Sequence, residues 1–374
     1  MLKLSFPQAD FKKSNGKVGK KAKRVAIFFR GGQKVYILLT GFSIFDFMTT
    51  LVTGGAGYIG AHVIRLLENK NESVIVVDDL STGAKDRIGN AGIAELNLSQ
   101  SDASAKLIEL IETHKIDQVI HFAARKQVGE SVARPAYYYE QNVTGMNNLL
   151  QAMEKTECKK LVFSSSAATY GMPDVPLVRE DLTPNPINPY GETKLIGEWM
   201  GAAAAKAWGL KFVALRYFNV AGAGWNDLAD PAILNLVPMV LDKWEQGQSA
   251  RIFGEDYPTP DGTCIRDYIH VLDLADAHIA ALDYLNDDAR PYDVFNVGTG
   301  AGSSVKEVID GLRAVSGIDI PNIVEPRRAG DPPQLIGDTK RINEVLNWHA
   351  KAGLAEILQS AWDGWQAGPR RIRF

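Results

Sequence analysis

Three glycines at three-residue spacing restrict the fold of this chain more than any other feature. They lie in the segment Thr53-Gly-Gly-Ala-Gly-Tyr-Ile-Gly60, between an apolar run and an amphipathic stretch that begins at Tyr58. Gly54 and Gly57 let the backbone turn and approach a pyrophosphate, and Gly60 lets helix and strand pack closely. The pattern predicts a strand, a tight turn and a helix whose N-terminus faces a phosphate, although a glycine-rich turn without a ligand shares it.

Asp78 favours the ligand-binding interpretation. It ends the next β-branched run, Ser73–Asp78, 18 residues after Gly60. A carboxylate at this position accepts hydrogen bonds from both ribose hydroxyls of a dinucleotide and repels a 2′-phosphate. We therefore predict that Asp78 and the glycine loop, including Tyr58 and Ile59, contact NAD rather than NADP. The alternative is a solvated acid at a strand end, as predicted for Asp79.

From Met48 onward, short apolar runs alternate with amphipathic stretches. This alternation predicts an α/β fold of the Rossmann type, with a doubly wound parallel sheet whose ligands lie beyond the carboxyl ends of the strands. The predicted strands are Thr50–Thr53, Ser73–Asp78, Gln118–Phe122, Lys160–Ser164 and Phe212–Arg216. The predicted helices are Tyr58–Asn69, Lys106–His114, Tyr138–Lys155 and Tyr190–Trp208.

After Asn219 the loops lengthen and proline becomes frequent. Short strands at Arg251–Phe253 and Val294–Val297 separate helices at Leu272–Leu285 and Val305–Val315. We predict an NAD-binding domain over residues 48–220 and a smaller α/β substrate-binding domain over residues 221–374, with interleaved boundaries.

The first 47 residues differ from the rest of the chain in charge. They hold ten Lys or Arg and two acidic residues, a net charge of +8, whereas the whole chain has −3. A targeting peptide and a nucleic-acid or membrane arm are two interpretations of such a segment. We favour a third, translation upstream of a natural start at Met48, and expect the extension to be disordered.

Composition restricts the class of protein further. The chain is 45% hydrophobic and 23% charged, as is usual for a globular enzyme, and its net charge argues against general nucleic-acid binding. The apolar stretch from Val35 to Phe47 is too short to span a membrane. Two cysteines, Cys158 and Cys264, cannot form a disulfide framework, so we expect a reducing, cytoplasmic location. CxxC and His-rich spacing is absent from the sequence, so no metal site is predicted.

The catalytic prediction depends on Tyr190 and Lys194. Residues four apart lie on one helix face, and an ammonium near a phenol lowers the pKa of the phenol, which makes it a usable base. A surface helix pair is the ordinary interpretation of an isolated Tyr-x-x-x-Lys. Here Ser164-Ser-Ser166 ends an upstream strand, where one hydroxyl can bond a substrate oxygen and relay its proton to Tyr190.

Further motifs complete a family pattern. The chain resembles the extended short-chain dehydrogenase/reductase superfamily and, within it, the UDP-galactose (UDP-glucose) 4-epimerases over essentially all of residues 48–366. Besides the glycine loop, the serines and Tyr190-Gly-Glu-Thr-Lys194, the motifs are His121-Phe-Ala-Ala124, Lys126-x-Val-Gly-Glu-Ser131, Arg216-Tyr-Phe-Asn219, Asp256-Tyr-Pro-Thr259, Asp261-Gly-Thr263, Arg266-Asp-Tyr-Ile-His-Val271 and Pro326-Arg-Arg-Ala-Gly-Asp331.

The resemblance implies a mechanism with a retained NAD. Tyr190, activated by Lys194 and assisted by Ser166, takes the proton of the sugar 4-hydroxyl while hydride passes from C4 to the nicotinamide. The 4-keto sugar then turns over on its pyrophosphate, and hydride returns to the opposite face.

The resemblance also implies the site residues. Further cofactor contacts are Asn97, Leu98, Phe122, Ala123, Ala124, Lys126, Gln141, Asn142, Ser166, Tyr190, Lys194 and Phe218. Substrate contacts are Lys126, Ser166, Tyr190, Asn219, Asn235, Leu236, Phe253, Arg266, Arg328, Asp331 and Leu335. Of these, Arg266 and Arg328 suit a pyrophosphate because of their planar multi-donor geometry. A homodimer formed through the helices near Tyr138–Lys155 and Tyr190–Trp208 is expected.

Some positions depart from the family pattern. The adenine contact, commonly Asp-Ile or Asp-Leu, is Asn97-Leu98 or Asp102-Ala103 here. Leu335 occupies the position that gates hexose size and is intermediate between the aromatic residue that excludes N-acetyl sugars and the small residue that admits them. We favour the plain hexose and leave acceptance of N-acetyl sugars open.

Three other functions are alternatives. A 4,6-dehydratase needs a second acid–base pair beside the catalytic hydroxyl, and Ser166-Ala167-Ala168 offers none. An epimerase of UDP-pentoses or UDP-uronates is closer. An NAD-sensing protein on the same fold can lose its Tyr and Lys, whereas both are present here.

Overall fold

A computed structural model describes residues 24–30, 33–39, 48–286, 291–328, 330–368 and 371–372. Within the basic extension, β1 (Arg24–Arg30) and β2 (Gln33–Leu39) pair antiparallel. Both are rich in β-branched and aromatic residues, which favour strands. The expected disorder of the extension stays a prediction, and most of its residues lie outside the described ranges.

Helices and strands alternate through the first half of the chain that follows Met48. The elements are β3 (Thr49–Thr53), α1 (Tyr58–Asn69), β4 (Ser73–Asp78), β5 (Gly92–Glu95), α2 (Ala103–His114), β6 (Gln118–His121), α3 (Val128–Ala133), α4 (Pro135–Tyr138), α5 (Gly145–Glu154), β7 (Lys160–Ser166), α6 (Pro189–Trp208) and β8 (Lys211–Tyr217).

The second half contains shorter strands. They and their helices are β9 (Asn219–Ala221), α7 (Leu236–Glu245), β10 (Ala250–Phe253), β11 (Ile265–His270), α8 (Val271–Asn286), β12 (Tyr292–Val297), β13 (Gly302–Ser304), α9 (Val305–Ser316), β14 (Asn322–Glu325), β15 (Gln334–Leu335), α10 (Lys340–Val345) and α11 (Leu354–Gln366).

Seven parallel strands form the main sheet, in the order β12-β8-β7-β6-β3-β4-β5. The chain runs outward from β3 to β5 and then crosses to β6 on the other side of β3. The strand order therefore reverses between β3 and β6, which is where ligands bind in such sheets. Separate apolar cores include Val52, Ile64 and Leu274 in one, and Leu51, Leu107 and Leu149 in the other. The predicted α/β fold is confirmed.

Three details differ from the sequence prediction. Strand β5 was not predicted, because four residues give too short a pattern to recognise. The predicted helix Tyr138–Lys155 is interrupted by a π-helical segment, Tyr139–Thr144, a type of segment that is frequent at functional sites. Strand β12 pairs with β8 and helix α8 packs on α1, so both belong to the larger layer although they follow residue 220.

The smaller sheets belong to the second half of the chain. Strand β11 pairs with β9, β13 and β15, and β10 pairs with β14. A third core, including Val240, Leu312 and Leu358, joins α7, α9 and α11. Loops from this part of the chain reach the carboxyl edge of the main sheet, where β7 and β8 end.

Candidate active site

The glycine loop fits a close backbone turn with an open helix end. Gly54 has φ +70°, and a Cβ there would lie 2.6 Å from the Ala123 nitrogen. A Cβ on Gly60 would lie 2.6 Å from the Gly54 oxygen. At Gly57, the N-cap of α1, the nearest atom would be 3.3 Å away. The protein's own packing requires glycine at positions 54 and 60 and leaves a side chain at position 57 only a tight fit, so the backbone at the helix N-terminus is free of side chains that would keep a phosphate away.

Asp78 lies in the wall of the cleft beside this loop. Its Oδ2 accepts a hydrogen bond from the Ala56 nitrogen (3.0 Å), and its Oδ1 accepts one from the Leu80 nitrogen (2.8 Å). Burial raises the pKa of the carboxyl group, and these two backbone donors oppose that shift. The backbone therefore holds the carboxylate in a fixed orientation toward the cleft.

Most predicted cofactor residues line this one cleft. They are Gly54, Gly57, Tyr58, Ile59, Gly60, Asp78, Asn97, Leu98, Phe122, Ala123, Ala124, Lys126, Gln141, Tyr190 and Lys194. Asn97 and Leu98 are thus placed at the cleft. Asp102 caps α2 and pairs with Lys106 at 2.8 Å.

Asn142, Ser166 and Phe218 lie beside the cleft wall rather than in it. Asn142 is in the π-helical segment, where its Oδ1 accepts from the Arg125 nitrogen (2.7 Å) and its amide donates to the Arg125 carbonyl (3.0 Å). The amide also donates to Thr193 Oγ1 (3.0 Å). Asn142 therefore joins the loop after β6 to helix α6, which carries Tyr190.

Sequence reasoning missed a cluster of polar residues at the cleft. Arg125 pairs with Asp79 at 2.8 Å and donates to Ser81 Oγ at 2.5 Å, and all three line the cleft. The signal in the sequence is weak, because Asp79 and Arg125 are 46 residues apart and belong to separate loops. Only the parallel pairing of the strands between them brings the two loops together.

Tyr190, Lys194 and Ser166 meet at the end of β7. Lys194 is buried, and its Nζ donates to the Ser164 carbonyl at 2.7 Å. Tyr190 is half-buried and forms a hydrogen bond with the Ser166 side chain. Ser166 Oγ accepts from the Ala168 nitrogen (3.1 Å), which leaves the serine proton free to be donated to Tyr190. The predicted catalytic group is therefore assembled in space.

The pKa values differ in part from the expectation. Desolvation in the cleft raises the pKa of Tyr190, and the Ser166 hydrogen bond lowers it, so the net direction is upward. Burial lowers the pKa of Lys194 to about 7. The predicted lowering of the Tyr190 pKa by Lys194 is thus wrong for this structure, because the cost of burying a phenolate is the larger effect.

Predicted substrate residues form a first group around Arg266. This side chain donates to the Pro332 carbonyl at 2.9 Å and pairs with Asp331 at 3.5 Å. Leu335 is its partner in the register of β11 and β15. Leu335 also packs against the apolar cluster that contains Phe218. The group therefore lies close to the chain segment that leaves β8.

A second group contains Phe253 and Arg328. The guanidinium lies 3.7 Å from the centre of the Phe253 ring, a stacked arrangement that keeps its edge donors available. Asn235 caps α7 and donates to Asp230 at 2.9 Å, and Leu236 begins that helix.

Two contacts join the substrate groups to the catalytic helix. A Cβ on Gly330 would lie 3.4 Å from Ile187, three residues before Tyr190. Asn219 pairs with Tyr268 in the register of β9 and β11. The loop that carries Arg328 therefore approaches the segment just before Tyr190, and β11, which carries Arg266, pairs with the strand that follows β8.

Metal-binding clusters and membrane-spanning helices are both absent from the described residues. Within the parts of the chain that the structure describes, no cluster of three or more His, Cys, Asp or Glu is suited to hold a metal ion. Over the same residues, no helix has the length and apolar character required to cross a membrane.

Comparison with known proteins gives the family. The profile described as the NAD dependent epimerase/dehydratase family matches residues 50–298. This chain belongs to that family. The matched region contains the glycine loop, Tyr190, Lys194 and the main sheet, so the resemblance seen in the sequence is confirmed.

Individual relatives of this chain are similar over most of their length. A UDP-glucose 4-epimerase of Lactobacillus helveticus is 43% identical over 332 residues, which cover 86% of this chain and 98% of the relative. The structure of a Brucella ovis UDP-glucose 4-epimerase in complex with NAD is 40% identical, with a TM-score of 0.79 and coverage of 84% and 97%. A Campylobacter jejuni UDP-Glc/GlcNAc 4-epimerase is 40% identical, with a TM-score of 0.76 and coverage of 86% and 99%.

Proposed function

We propose that this enzyme interconverts UDP-glucose and UDP-galactose by NAD-dependent epimerisation at C4. The observation that carries the proposal is that Tyr190 and Lys194 line the same cleft as the glycine loop, with Ser166 beside them at the end of β7. The named activities of the Lactobacillus helveticus and Brucella ovis relatives support it.

The cleft suits NAD. The glycine loop and the N-terminus of α1 would hold the pyrophosphate, Asp78 would accept from the adenosine ribose, and Asn97 and Leu98 would border the adenine. When bound, NAD supplies the acceptor and donor of the hydride that the sugar C4 loses and regains.

The chain's own residues move the proton. Tyr190 Oη takes the proton of the sugar 4-hydroxyl, directly or through Ser166, and returns it to the 4-keto sugar. The Ser166 hydroxyl donates to Tyr190 Oη and so stabilises the phenolate. Lys194, held by the Ser164 carbonyl, places a titratable amine beside this pair.

Arg266 and Arg328 hold the other end of the substrate. Each presents a planar set of donors to the pyrophosphate, and Asp331, which pairs with Arg266, would accept from the uridine ribose. Anchoring at UDP leaves the hexose free to turn, and such turning is required before C4 can present its other face.

The residues that follow Ser166 argue against a 4,6-dehydratase. Elimination of water needs an acid–base pair beside the catalytic hydroxyl, and Ala167 and Ala168 occupy those positions. Both alanines lie in the short helical turn Ala167–Tyr170 at the end of β7. Accumulation of a 4-keto-6-deoxy product would contradict this conclusion.

We also propose that the protein is a homodimer and that it is located in the cytoplasm. Helix α6 is one of the two helices expected at the interface, and its Trp199 is 62% exposed; Val132 on α3, which packs against α6, is 63% exposed. Such side chains suit burial against a second copy. Cys158 and Cys264 are both free and buried, which agrees with a reducing compartment. Sedimentation velocity tests the dimer, and Trp199→Glu should yield a monomer.

Product analysis tests the proposed reaction. Purified protein is incubated separately with UDP-galactose and UDP-N-acetylgalactosamine, without added NAD. We expect UDP-glucose from the first, and conversion of the second reports whether half-buried Leu335 admits an acetamido group. Tyr190→Phe should lower kcat roughly 10²- to 10⁴-fold, the range for loss of a general base. No conversion by the wild type, even with NAD supplied, would refute the proposal.

A further inference from the structure

Glu198 is a buried carboxylate that the proposed chemistry does not use. It lies on the face of α6 that carries Tyr190 and Lys194, four residues after the lysine. Its Oε1 accepts a hydrogen bond from Ser165 Oγ at 2.5 Å. Ser165 is the middle one of the three serines that end β7, so its backbone is continuous with Ser166. Glu198 therefore ties the catalytic helix to the strand that supplies the catalytic serine.

Arg216 completes a bidentate ion pair with this carboxylate. Its Nε lies 2.9 Å from Glu198 Oε1 and its Nη2 lies 2.6 Å from Oε2. The two side chains are 4% and 2% exposed. Arg216 on β8 is also the register partner of Ser165 on β7. One carboxylate thus accepts three hydrogen bonds and joins two strands of the main sheet to α6.

Arg216 extends the connection toward the substrate loops. Its guanidinium lies 4.7 Å from the centre of the Tyr170 ring, and the Tyr170 hydroxyl donates to Asn296 Oδ1 at 2.7 Å. Phe218 follows Arg216 by two residues and packs against Leu335 in one apolar cluster. The ion pair therefore joins the elements that carry Tyr190, Lys194 and Ser166, and it also lies close along the chain to a residue that packs against the predicted substrate contact Leu335.

The geometry indicates what such a pair contributes. A buried ion pair stabilises a fold little more than a well-packed apolar pair of similar volume. A bidentate contact, however, fixes both the distance and the angle between its two side chains. Proton transfer needs Tyr190, Lys194 and Ser166 in a narrow range of mutual positions, and each of them lies on an element that Glu198 or Arg216 contacts.

We propose that Glu198 and Arg216 are positioning residues that set the register of α6 on β7 and β8, and so align Tyr190 and Lys194 with Ser166. Neither residue lines the cleft, and both act through Ser165 and the helix. This inference rests on the proposed epimerase function and adds a requirement for its proton-transfer step.

A double substitution tests the positioning role without leaving a buried charge unpaired. Glu198→Leu with Arg216→Met replaces the pair by apolar side chains of similar volume, so the protein should fold and retain NAD. We expect KM for UDP-galactose to stay within about twofold of the wild type and kcat to fall about 100-fold, as small misplacements of catalytic groups do. Thermal unfolding, NAD content and steady-state kinetics are measured on the same preparations.

A second variant and a control keep the test decisive if the double variant is poorly folded. Ser165→Ala removes one hydrogen bond from the carboxylate and leaves the ion pair, so kcat should fall about tenfold with KM unchanged. Gln118→Met removes a buried hydrogen bond to Thr50 Oγ1 (2.9 Å) in the same sheet, away from α6. It should lower Tm while kcat stays unchanged.

The possible outcomes separate the two proposals. An inactive wild type would refute the epimerase function itself. An active wild type with a folded double variant whose kcat is within about twofold of normal would overturn the positioning role alone. Unchanged kcat in Ser165→Ala would likewise overturn it if the double variant does not fold.

Discussion

The cofactor side and the substrate side of the cleft are built in different ways. On the cofactor side, Gly54–Gly60, Asp78 and Phe122–Ala124 each follow directly after a strand of one parallel sheet or end it. On the substrate side, Phe253, Arg266 and Arg328 come from loops and short strands of two small sheets. In a parallel sheet the carboxyl ends of the strands lie at one edge regardless of the sequences of the loops. Irregular loops, in contrast, adopt defined positions only through specific side-chain contacts.

This difference predicts different kinetic consequences. Substitutions at the sheet edge should affect proton transfer or cofactor retention, whereas substitutions in the substrate loops should affect KM alone. Variants on the two sides of the cleft test that separation.

Lys194→Met should have the largest effect. Loss of the amine should lower kcat by roughly 100-fold or more, within the range of acid–base contributions. The substitution should also change how the free energy of unfolding depends on pH, because burial lowers the pKa of Lys194 in the wild type to about 7. An unfolded lysine titrates near about 10.4, so the unfolded state binds more protons between these values and wild-type stability rises with pH across that window.

The measurement compares denaturant unfolding of wild type and Lys194→Met from pH 6 to pH 10, about the span of that window, without added nucleotide. The wild type should gain stability relative to the variant as the pH rises through the pKa of the buried lysine. A constant difference between the two proteins would mean that Lys194 keeps an ordinary pKa in the fold.

Asp78→Ala should act on cofactor binding. The hydrogen bonds that we propose between this carboxylate and the ribose would be charge-assisted, so their loss should weaken NAD retention about 10- to 100-fold and relax discrimination against NADP. Equilibrium dialysis with each dinucleotide measures both. Affinity for UDP should not change, and a parallel loss of UDP binding would contradict the separation of the two sides.

Arg328→Ala should act on substrate binding. Because we propose that this guanidinium holds the pyrophosphate, its loss should raise KM for UDP-galactose about tenfold with kcat and NAD content unchanged. Arg327→Ala is the matched control, because the neighbouring side chain is 43% exposed and pairs with Asp256 instead. An equal effect of both substitutions would indicate general loosening of the loop.

Deletion of residues 1–47 should have the smallest effect. The main sheet and all residues that line the cleft follow residue 47, so the remaining chain should keep the Tm, NAD content and kcat of the full chain. Thermal unfolding and cofactor release are compared between the shortened protein and the full chain. Loss of bound NAD on deletion would show that the extension contributes to the enzyme's structure.

Much of the fold and of the cofactor side could be predicted from the sequence. Bounds such as Tyr58–Asn69 and Ser73–Asp78 agree with the structure residue for residue, because strand and helix periodicities there are strong and glycine marks the turn between them. Strand β5 and the π-helical segment Tyr139–Thr144 could not be predicted, since the first is short and the second departs from the helical period.

The order of the βα units, the glycine loop and the candidate catalytic residues could be predicted from the sequence alone. These are properties of contiguous segments, and local backbone preference with strand alternation is enough to specify them. The packing of the folded chain is what brings Asp79 to Arg125, pairs Glu198 with Arg216 and, through burial, lowers the pKa of Lys194. Those outcomes depend on which side chains, distant in the sequence, are buried together, and local sequence patterns do not show which residues these are.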